Sequence, residues 1–346
     1  MRADAMRSRI IMAAAGALCL LGLLVCIVVG HAAWRGWLGA AFLCAMAPSG
    51  AVGLVMAMRL TPGAWAREAT PFLAAEARIL PLAAAAFVPV LIWLGSIYSW
   101  VGQKETTAFR AAWLSAPAFV ATTVIWFLVL AVLWRLLSRR ESGPWVACVG
   151  LVLFLAIGTF AATDWLQSLD PAFRSSGFGL YAIAMQMLAA LALAIVIGLT
   201  SPARMQRQGV LGGILLTLVL FWAYLAYMPY FISWSADVPS AAVWYLKRGR
   251  GVWAAVAILV AVCRFVPMFL LLFGKVRNDR RWLLGVASAV LFASIPETAW
   301  IVLPAAPGAP RADAWTALAF VLSAVGLMGL GWSLAKAGAP TSEAAA

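Results

Sequence analysis

The feature that most restricts the fold of this 346-residue chain is a series of ten apolar stretches, each about as long as a membrane-spanning helix. Inside a bilayer a crossing segment must satisfy its backbone hydrogen bonds as a helix or in a closed barrel. The stretches are continuous and lack the alternation of lipid-facing strands, which favours helices. The sequence predicts an all-α integral membrane protein with about ten transmembrane helices, near residues 9–29, 37–58, 79–99, 115–137, 145–164, 177–200, 209–232, 252–274, 282–303 and 315–335.

The composition agrees with this prediction and gives no sign of a soluble domain. Hydrophobic residues make up 65% of the chain and charged residues 11%, whereas a soluble domain carries about 25% charged residues. The first stretch follows Arg2, Arg7 and Arg9 in the manner of a signal peptide, but its length and the lack of a clear cleavage site favour a retained helix. We expect one transmembrane domain over residues 1–346, with a disordered tail at 337–346.

The net charge of +13 has a topological explanation. Sixteen Lys and Arg residues lie on the side that holds the N-terminus, the even-numbered connections and the C-terminus, and eight lie on the other side. The remaining cation, Arg264, falls within the eighth stretch. The positive-inside rule then places both termini in the cytoplasm, and we expect a multi-pass protein of the inner (cell) membrane. Because the cations are spread over short loops, we expect no nucleic-acid partner.

Two parts of the chain share a pattern at nearly constant spacing. Asp164 and Glu297 lie 133 positions apart, near the ends of the fifth and ninth stretches, and the segments 97–100 and 231–234 both end in Ser-Trp. We therefore predict two pseudo-repeated four-helix bundles flanked by helices 1 and 10. Because four is an even number, both bundles keep one orientation about an axis along the membrane normal. The predicted halves are helices 2 to 5 over residues 37–164 and helices 6 to 9 over residues 177–303.

Ligands for a cofactor or a metal are scarce in this chain. The five cysteines all fall inside apolar stretches without a Cys-x-x-Cys pair, so we expect them to be small packing residues. His31 is the only histidine, which excludes a haem b held by two histidines of this chain. Iron–sulfur and zinc sites with the usual ligand spacing are unsupported. We expect no metal and no cofactor bound by this chain, although a quinone could bind.

Acids at membrane depth are the main candidates for function, because a buried ionisable group is costly unless it is paired or hydrated. Glu297 follows Pro296 in the second half of the ninth stretch. It could carry a proton, or it could only hold helices together by a hydrogen bond. Asp164 begins a polar segment that also contains Asp170 and Arg174. This segment could be a proton exit or a quinone headgroup site, or a polar turn closed by an aspartate–arginine ion pair.

Arg264 is the only cation within the apolar stretches, and it needs a counter-ion. Glu297, Asp164 or Asp237 could supply the negative charge. We expect a buried ion pair that ties the two halves together. Direct involvement of Arg264 in proton transfer is the alternative.

Tyrosines recur at three-residue spacing on the seventh stretch, at Tyr224, Tyr227 and Tyr230. Side chains three residues apart lie on a slowly drifting face of a helix. Their hydroxyls could form a proton pathway, or they could bridge helices and reach the membrane interface.

Two connections have a helical, amphipathic pattern. The segment 65–78 after the second stretch predicts a short helix in the cytoplasmic interface. The segment 243–248 predicts another on the outer side.

Seven motifs together resemble membrane subunits of alternative complex III, the bacterial quinol:cytochrome c oxidoreductase, within the NrfD/polysulfide-reductase-like superfamily. The closest resemblance is to the ActF-like subunits. The motifs cover helices 2 to 9 in order. They are 60–65 (LTPGAW), 164–171 (DWLQSLDP) running into 176–179 (SGFG), 221–226 (FWAYLA), 232–239 (ISWSADVP), 243–248 (VWYLKR), 264–270 (RFVPMFL) and 297–300 (ETAW) with 303–304 (LP).

The resemblance implies ten helices with two four-helix bundles, at helices 2 to 5 and 6 to 9. It also implies partner subunits that carry the haem and iron–sulfur clusters: a second NrfD-like membrane subunit, an iron–sulfur subunit and cytochrome c subunits. The second NrfD-like subunit is the one usually assigned the quinol site. This chain would then be a non-haem subunit of a respiratory-chain oxidoreductase that is not catalytic alone. It would support quinol-linked electron transport and proton translocation toward the periplasm, and Asp164 and Glu297 match acidic positions of the family.

The chain departs from the family at two cations. Arg59 and Arg264 stand where family members tend to have histidine, so a permanent charge replaces a group that titrates near neutral pH. This puts proton transfer through the eighth helix in doubt. Two other functions fit the same sequence. One is a secondary transporter, since repeats with midplane charges also suit transporters, and the other is a structural membrane anchor whose acids only fasten helices.

Overall fold

The computed structural model describes residues 2–103, 107–139, 143–201, 205, 207–305 and 310–338. Over these ranges the chain forms helices and no strand, and ten helical segments are long and apolar enough to cross a membrane. This confirms the prediction of an all-α, multi-pass membrane protein with about ten spans. The predicted disordered tail lies outside the described residues from position 339 onward.

Fifteen α-helices follow one another in the described part of the chain, and two 3₁₀ turns lie at Gln167–Leu169 and Leu303–Ala305. The helices are α1 Arg2–Val29, α2 His31–Leu60, α3 Ala64–Ala77, α4 Leu80–Ile92, α5 Leu94–Ile97, α6 Ala108–Trp113, α7 Ala116–Leu137, α8 Pro144–Trp165, α9 Phe178–Thr200, α10 Gln208–Ser235, α11 Pro239–Arg248, α12 Gly251–Leu271, α13 Gly274–Asn278, α14 Arg280–Val302 and α15 Pro310–Gly338. The predicted short helix at 243–248 is part of α11.

The third span differs from its prediction. The apolar run covers Ala64–Ile92, where the sequence predicted a crossing at 79–99 after a separate helix at 65–78. Helix α3 does form where the separate helix at 65–78 was predicted. Helices α2, α9 and α15 cover it, so most of its second half is buried. A turn at Arg78 and Ile79 separates α3 from α4, because Pro81 has no backbone N–H with which to continue the helix.

The two central helices are α2 and α9, which pack directly against each other. Helix α2 also packs against α4, α7 and α8, which together form the first bundle. Helix α9 packs against α10 and α14, and α12 closes the second bundle by packing between them. In addition, α2 contacts α14 and α9 contacts α8, so the helix that begins each predicted half meets the helix that ends the other. Two like bundles about an axis along the membrane normal would have this reciprocal arrangement, and the repeat itself stays a prediction.

Helices α1 and α15 pack against each other and against α2, outside both bundles. Because ten spans is an even number, α1 begins and α15 ends at the same end of the molecule. We call this the inner end, since it holds the greater share of the cations, and we call the opposite end the outer end.

A glycine lets the two central helices approach closely. A Cβ atom added to Gly50 on α2 would lie 2.0 Å from the backbone oxygen of Gln186 on α9, far inside van der Waals contact. Small residues at such positions are the usual means of close helix packing in membranes. Gly50 therefore sets the distance between α2 and α9, and with it the distance between the bundles.

We expect Gly50→Ala to force α2 and α9 apart and to lower the free energy of unfolding by about 1–3 kcal/mol, as overpacking does. The measurement is denaturant unfolding of the purified chain in a mild detergent. Gly285→Ala on α14 is the matched control, because a Cβ there meets nothing within 4 Å. Equal destabilisation by both substitutions would contradict the role given to Gly50.

Candidate functional site

Glu297 and Arg264 form a buried ion pair in the outer half of the molecule. Glu297 lies on α14 after Pro296, with 1% of its surface exposed. Its Oε2 atom accepts a hydrogen bond of 2.6 Å from Nη2 of Arg264, which is fully buried on α12. The structure thus supplies the counter-ion that Arg264 requires, and it is the nearest of the three acids considered from the sequence.

Two further donors bind the other oxygen of the same carboxylate. Oε1 of Glu297 accepts a hydrogen bond of 2.5 Å from the Tyr181 hydroxyl and one of 2.6 Å from Nε1 of Trp222. Tyr181 lies on α9 and Trp222 on α10. Each of the four helices of the second bundle therefore contributes one side chain to this cluster, which we call the Glu297 centre: Tyr181, Trp222, Arg264 and Glu297.

The guanidinium of Arg264 also has neutral partners. Nη1 donates to the backbone oxygen of Val290 at 3.0 Å, and Nη2 lies 3.3 Å from Oγ of Ser294. The guanidinium carbon is 5.1 Å from the centre of the Trp222 ring, in the range of a cation–π contact. All of these partners belong to the second bundle. The expectation that the ion pair ties the two halves together is therefore wrong, because α12 contacts α14 rather than the first bundle.

An aromatic cavity of about 150 Å³ adjoins the Glu297 centre. Eight aromatic side chains line it, and Glu297 is its only acidic lining residue. The aromatic residues are Phe173, Phe178, Tyr181, Trp222, Trp244, Tyr245, Phe265 and Trp300. Tyr181 both lines the cavity and donates to the carboxylate, so its hydroxyl connects the two.

Helix α11 covers the outer end of the second bundle and is fixed there by Arg248. The Arg248 guanidinium donates to three backbone oxygens, on Trp244 at 3.1 Å, Trp300 at 3.1 Å and Ile301 at 2.8 Å. The last two belong to the C-terminal turn of α14, where carbonyls lack helical partners and a cation is favoured. Burial lowers the pKa of Arg248 to about 9, against the opposing effect of Asp170 and Tyr245. The group is therefore protonated at neutral pH.

Asp170, a predicted proton-pathway residue, lies beside α11 rather than in the Glu297 centre. One of its carboxylate oxygens is 3.4 Å from Nζ of Lys247. Arg174, its predicted partner, is exposed, and the aspartate–arginine pair does not form among the described residues. The same connection supplies Phe173, whose ring stacks on Trp244 at 4.4 Å. The loop before α9 and helix α11 thus form one outer cover over the cavity.

Asp164 lies in the first bundle, near the end of α8, with 4% of its surface exposed. The uncharged side chains of Thr122 and Trp113 lie beside its carboxylate. The next residue, Trp165, accepts a hydrogen bond of 2.8 Å from the Tyr98 hydroxyl at its backbone oxygen. Burial raises the pKa of Tyr98, the Asp164 charge adds to this shift, and Arg35 opposes it. Asp164 and Glu297 are alike in burial, but only Glu297 is bound to a cation.

The tyrosines predicted as a relay do not reach either acid. Tyr224 and Tyr227 have 59% and 56% of their surface exposed, on the outside of α10. The cavity is lined from α10 by Trp222, Leu225, Ala226 and Pro229, which lie on the other side of that helix. The hydroxyl at Glu297 comes instead from Tyr181. Asp237 is not the counter-ion of Arg264 either, because it is exposed in the turn between α10 and α11.

The buried polar groups that the sequence-based prediction missed include Tyr181, Trp222, Arg248 and Glu76. Glu76 on α3 is fully buried, and neither of its carboxyl oxygens has a hydrogen-bond partner among the described residues. Glu76 follows Leu73 by three residues and Phe72 by four, so it lies on the apolar face of an amphipathic helix. This spacing could have predicted its burial from the sequence. Tyr181 gave no such signal, because a tyrosine in an apolar stretch is common.

Over the described part of the chain, no group of three or more His, Cys, Asp or Glu side chains converges as metal ligands do. The Glu297 centre offers one carboxylate that is already filled by three donors. What the arrangement can do chemically is hold, accept and release a proton at that carboxylate.

We expect Arg264→Met to lower the free energy of unfolding by about 3–5 kcal/mol, because it leaves the Glu297 carboxylate buried without its cation. The double substitution Arg264→Met with Glu297→Met should recover most of that loss, since an apolar pair can replace a buried ion pair. Denaturant unfolding in mild detergent measures both. If the double variant is as unstable as the single one, the ion pair is not the source of the effect.

We expect Arg248→Lys to cost about 2–3 kcal/mol, because one ammonium group cannot donate to three carbonyls in place of the guanidinium. Since the pKa of Arg248 is about 9, this cost should be the same at pH 6 and pH 8. Arg250→Lys, at an exposed neighbouring position, is the control and should change the stability by less than about 0.5 kcal/mol. Thermal unfolding at both pH values provides the comparison, and a control as damaging as Arg248→Lys would contradict the role of α11.

The sequence matches no protein-family model and no curated protein. What the protein does is therefore inferred from the chemistry of the Glu297 centre together with the motifs of the sequence.

Proposed function

We propose that this protein is a cofactorless membrane subunit of a quinol-linked electron-transfer complex, and that Glu297 passes protons toward the outer end. The observation that carries the proposal is the Glu297 centre, in which four helices hold one carboxylate beside an aromatic cavity. An ionisable group at membrane depth marks a proton or ion pathway far more often than a surface acid does. The resemblance of the motifs to alternative complex III membrane subunits, which have an acid at this position, supports the same function.

The geometry accounts for how Glu297 could change its charge without stranding Arg264. A proton that binds Oε2 removes the ionic partner of the guanidinium. Arg264 would then keep the Val290 oxygen, the Ser294 hydroxyl and the Trp222 ring. Each of these attracts a cation without changing its own protonation state. The centre therefore has partners for Arg264 in both charge states of Glu297.

The Tyr181 hydroxyl provides the step between the carboxylate and the cavity. A phenolic hydroxyl both donates and accepts hydrogen bonds, and this one donates to Glu297 from the cavity wall. Tyr245 lines the same cavity from α11, and burial raises the pKa of Tyr245, so its hydroxyl keeps its proton at neutral pH. The proposed route runs from Glu297 through Tyr181 and the cavity to the outer cover, where Asp170 is partly exposed. Asp164 is the corresponding acid of the first bundle.

The proposal also covers location and partners. The protein would lie in the inner membrane of a bacterium with both termini in the cytoplasm, in keeping with the cations at the inner end. Haem and iron–sulfur clusters would belong to an iron–sulfur subunit and cytochrome c subunits, with a second NrfD-like subunit as the usual quinol site. A quinone ring is the kind of planar ligand that the eight aromatic side chains around the cavity would stack on.

A secondary transporter is less well supported by the same helices. Transporter sites of this kind form at helices that break near the membrane midplane. Here α12 and α14 contain Pro267 and Pro296 and remain continuous helices, and the cavity beside Glu297 is lined mainly by aromatic groups. A purely structural subunit is the remaining alternative, and the following experiment separates it from the proposal.

The test uses the native complex purified with all its subunits, in which quinol oxidation and proton release are measured together. We expect Glu297→Gln, which keeps the shape and the hydrogen bond to Arg264 but cannot carry a proton, to slow proton-coupled quinol oxidation roughly 100-fold. The visible haem content of the complex should be unchanged. Tyr181→Phe should give a smaller loss of the same kind, because it removes only the hydroxyl.

Tyr224→Phe with Tyr227→Phe is the matched control, since both hydroxyls lie on the exposed side of α10, and it should leave the rate unchanged. If Glu297→Gln and Asp164→Asn both leave quinol oxidation and proton release at the native rate, the proton role is excluded. Retained rates with reduced assembly of the complex would assign the acids a structural role.

A further inference from the structure

We propose that a cavity beside the two central helices binds one acyl chain of a membrane phospholipid. The cavity has a volume of about 340 Å³ and lies where α2, α9, α14 and α15 meet. Ala47 is near the midpoint of α2, and Leu291 is near the midpoint of α14. The cavity is therefore at the depth of the hydrocarbon core, where a phospholipid presents its acyl chains. None of the four residues of the Glu297 centre lines it, so the site does not depend on the proposed function.

The described lining of this cavity suits a hydrocarbon chain and disfavours water. It contains no charged side chain. Ser294 carries its one hydroxyl group, and the Oγ atom is already 3.3 Å from Nη2 of Arg264. A buried water molecule needs two to four polar partners, whereas an apolar cavity of about 150 Å³ stays dry and binds an apolar ligand. The larger cavity described here therefore has the size and the chemistry for an apolar ligand.

One side of the cavity opens to the surrounding membrane between α14 and α15. Ile295 on α14 and Met328 on α15 line the cavity and are partly exposed. Phe292 and Val325, on the same two helices, face outward with 49% and 51% of their surface exposed. An acyl chain of a neighbouring lipid can therefore reach the cavity while its headgroup remains at the membrane surface.

The cavity extends inward as far as the central helices. Over Ala33–Met56 every residue of α2 is buried except Ala47, which lines the cavity and is partly exposed. The exposure of Ala47 therefore comes from the cavity and not from the outer surface of the molecule. Leu193 on α9 is another partly exposed lining residue, and Gly331 on α15 keeps the opposite wall free of a side chain. A ligand in the cavity would touch both central helices.

A single acyl chain fits this space better than the other apolar partners that a membrane offers. An α-helix of a partner subunit is about 10–12 Å across with its side chains, which is too wide for a cavity of about 340 Å³. Because lipid is already apolar, binding is driven by van der Waals packing against a preformed wall. A chain seated there fills the space between α14 and α2, and it keeps water from Ser294 and thus from that side of Arg264.

The test uses the full-length chain in lipid bilayer discs that contain a phosphatidylcholine with a photoreactive diazirine midway along one acyl chain. After illumination, mass spectrometry locates the cross-linked residues. We expect cross-links at Ala47 and Leu193, on helices that are otherwise enclosed, in addition to those on outward-facing side chains. A long-tailed prenyl quinone added to the discs should leave these two cross-links in place.

Two variants fill the cavity from different helices. Ala47→Phe fills it from α2, and Met328→Trp fills it from the partly exposed rim on α15. Each should lose the cross-link at Leu193. Because the rim tolerates a larger side chain more easily than the enclosed helix does, Met328→Trp keeps the test decisive if Ala47→Phe fails to fold. Ala131→Phe is the matched control, since Ala131 is exposed on α7 and lines none of the described cavities, and it should keep the cross-link.

Three outcomes would overturn the proposal. The first is cross-linking confined to outward-facing residues such as Phe292 and Val325. The second is an unchanged cross-link at Leu193 in the filling variants, or an equal loss in Ala131→Phe. The third is removal of the inner cross-links by the prenyl quinone, which would assign the cavity to an isoprenoid tail.

Discussion

The ion pair between Arg264 and Glu297 is the interaction on which the second bundle depends. Two charges in an apolar interior are costly unless their geometry is good and their remaining hydrogen-bonding capacity is filled. Here the carboxylate binds Tyr181, Trp222 and Arg264, one from each of the other three helices. Rotation of any of these helices about its axis would leave a charged or polar group unpaired. The pair therefore fixes how α9, α10, α12 and α14 face one another.

The two buried acids show how similar positions can acquire different chemistry. Asp164 and Glu297 both lie near the outer end of the last helix of a bundle, and both are almost fully buried. Glu297 has a cation and two neutral donors, whereas the uncharged side chains of Thr122 and Trp113 lie beside Asp164.

The two ends of the molecule differ in what they bury. The outer end covers its cavity with aromatic rings and with Arg248, which satisfies the last carbonyls of α14. At the inner end, Glu76 on α3 is fully buried, and neither of its carboxyl oxygens has a hydrogen-bond partner among the described residues. A buried carboxyl group with no hydrogen bond is rarely kept without a reason, because its desolvation is not offset. The close approach of α2 and α9 at Gly50 joins the two bundles.

Much of the architecture could be predicted from residue order alone. The ten spans follow from the length of the apolar runs. The crossing segment formed by α3 and α4 begins earlier than predicted, because the polar residues of α3 favour an interfacial helix when the sequence is considered alone. Glu297 and Arg264 stood out as ionisable groups at membrane depth without any knowledge of contacts. Tyr181 could not be found in this way, because nothing in its neighbours distinguishes it from a packing residue.

The sequence by itself determined that the chain crosses a membrane about ten times, that its cations collect at one end, and that Arg264 and Glu297 are ionisable residues within apolar stretches. These depend on composition along the chain and on the cost of placing polar groups in hydrocarbon. Only the tertiary structure decided that Arg264 pairs with Glu297 inside one bundle, that Asp170 meets Lys247, and that Tyr224 and Tyr227 face outward. The reason is physical: spacing along a helix tells which residues share a face, but only packing between helices determines which neighbour that face meets.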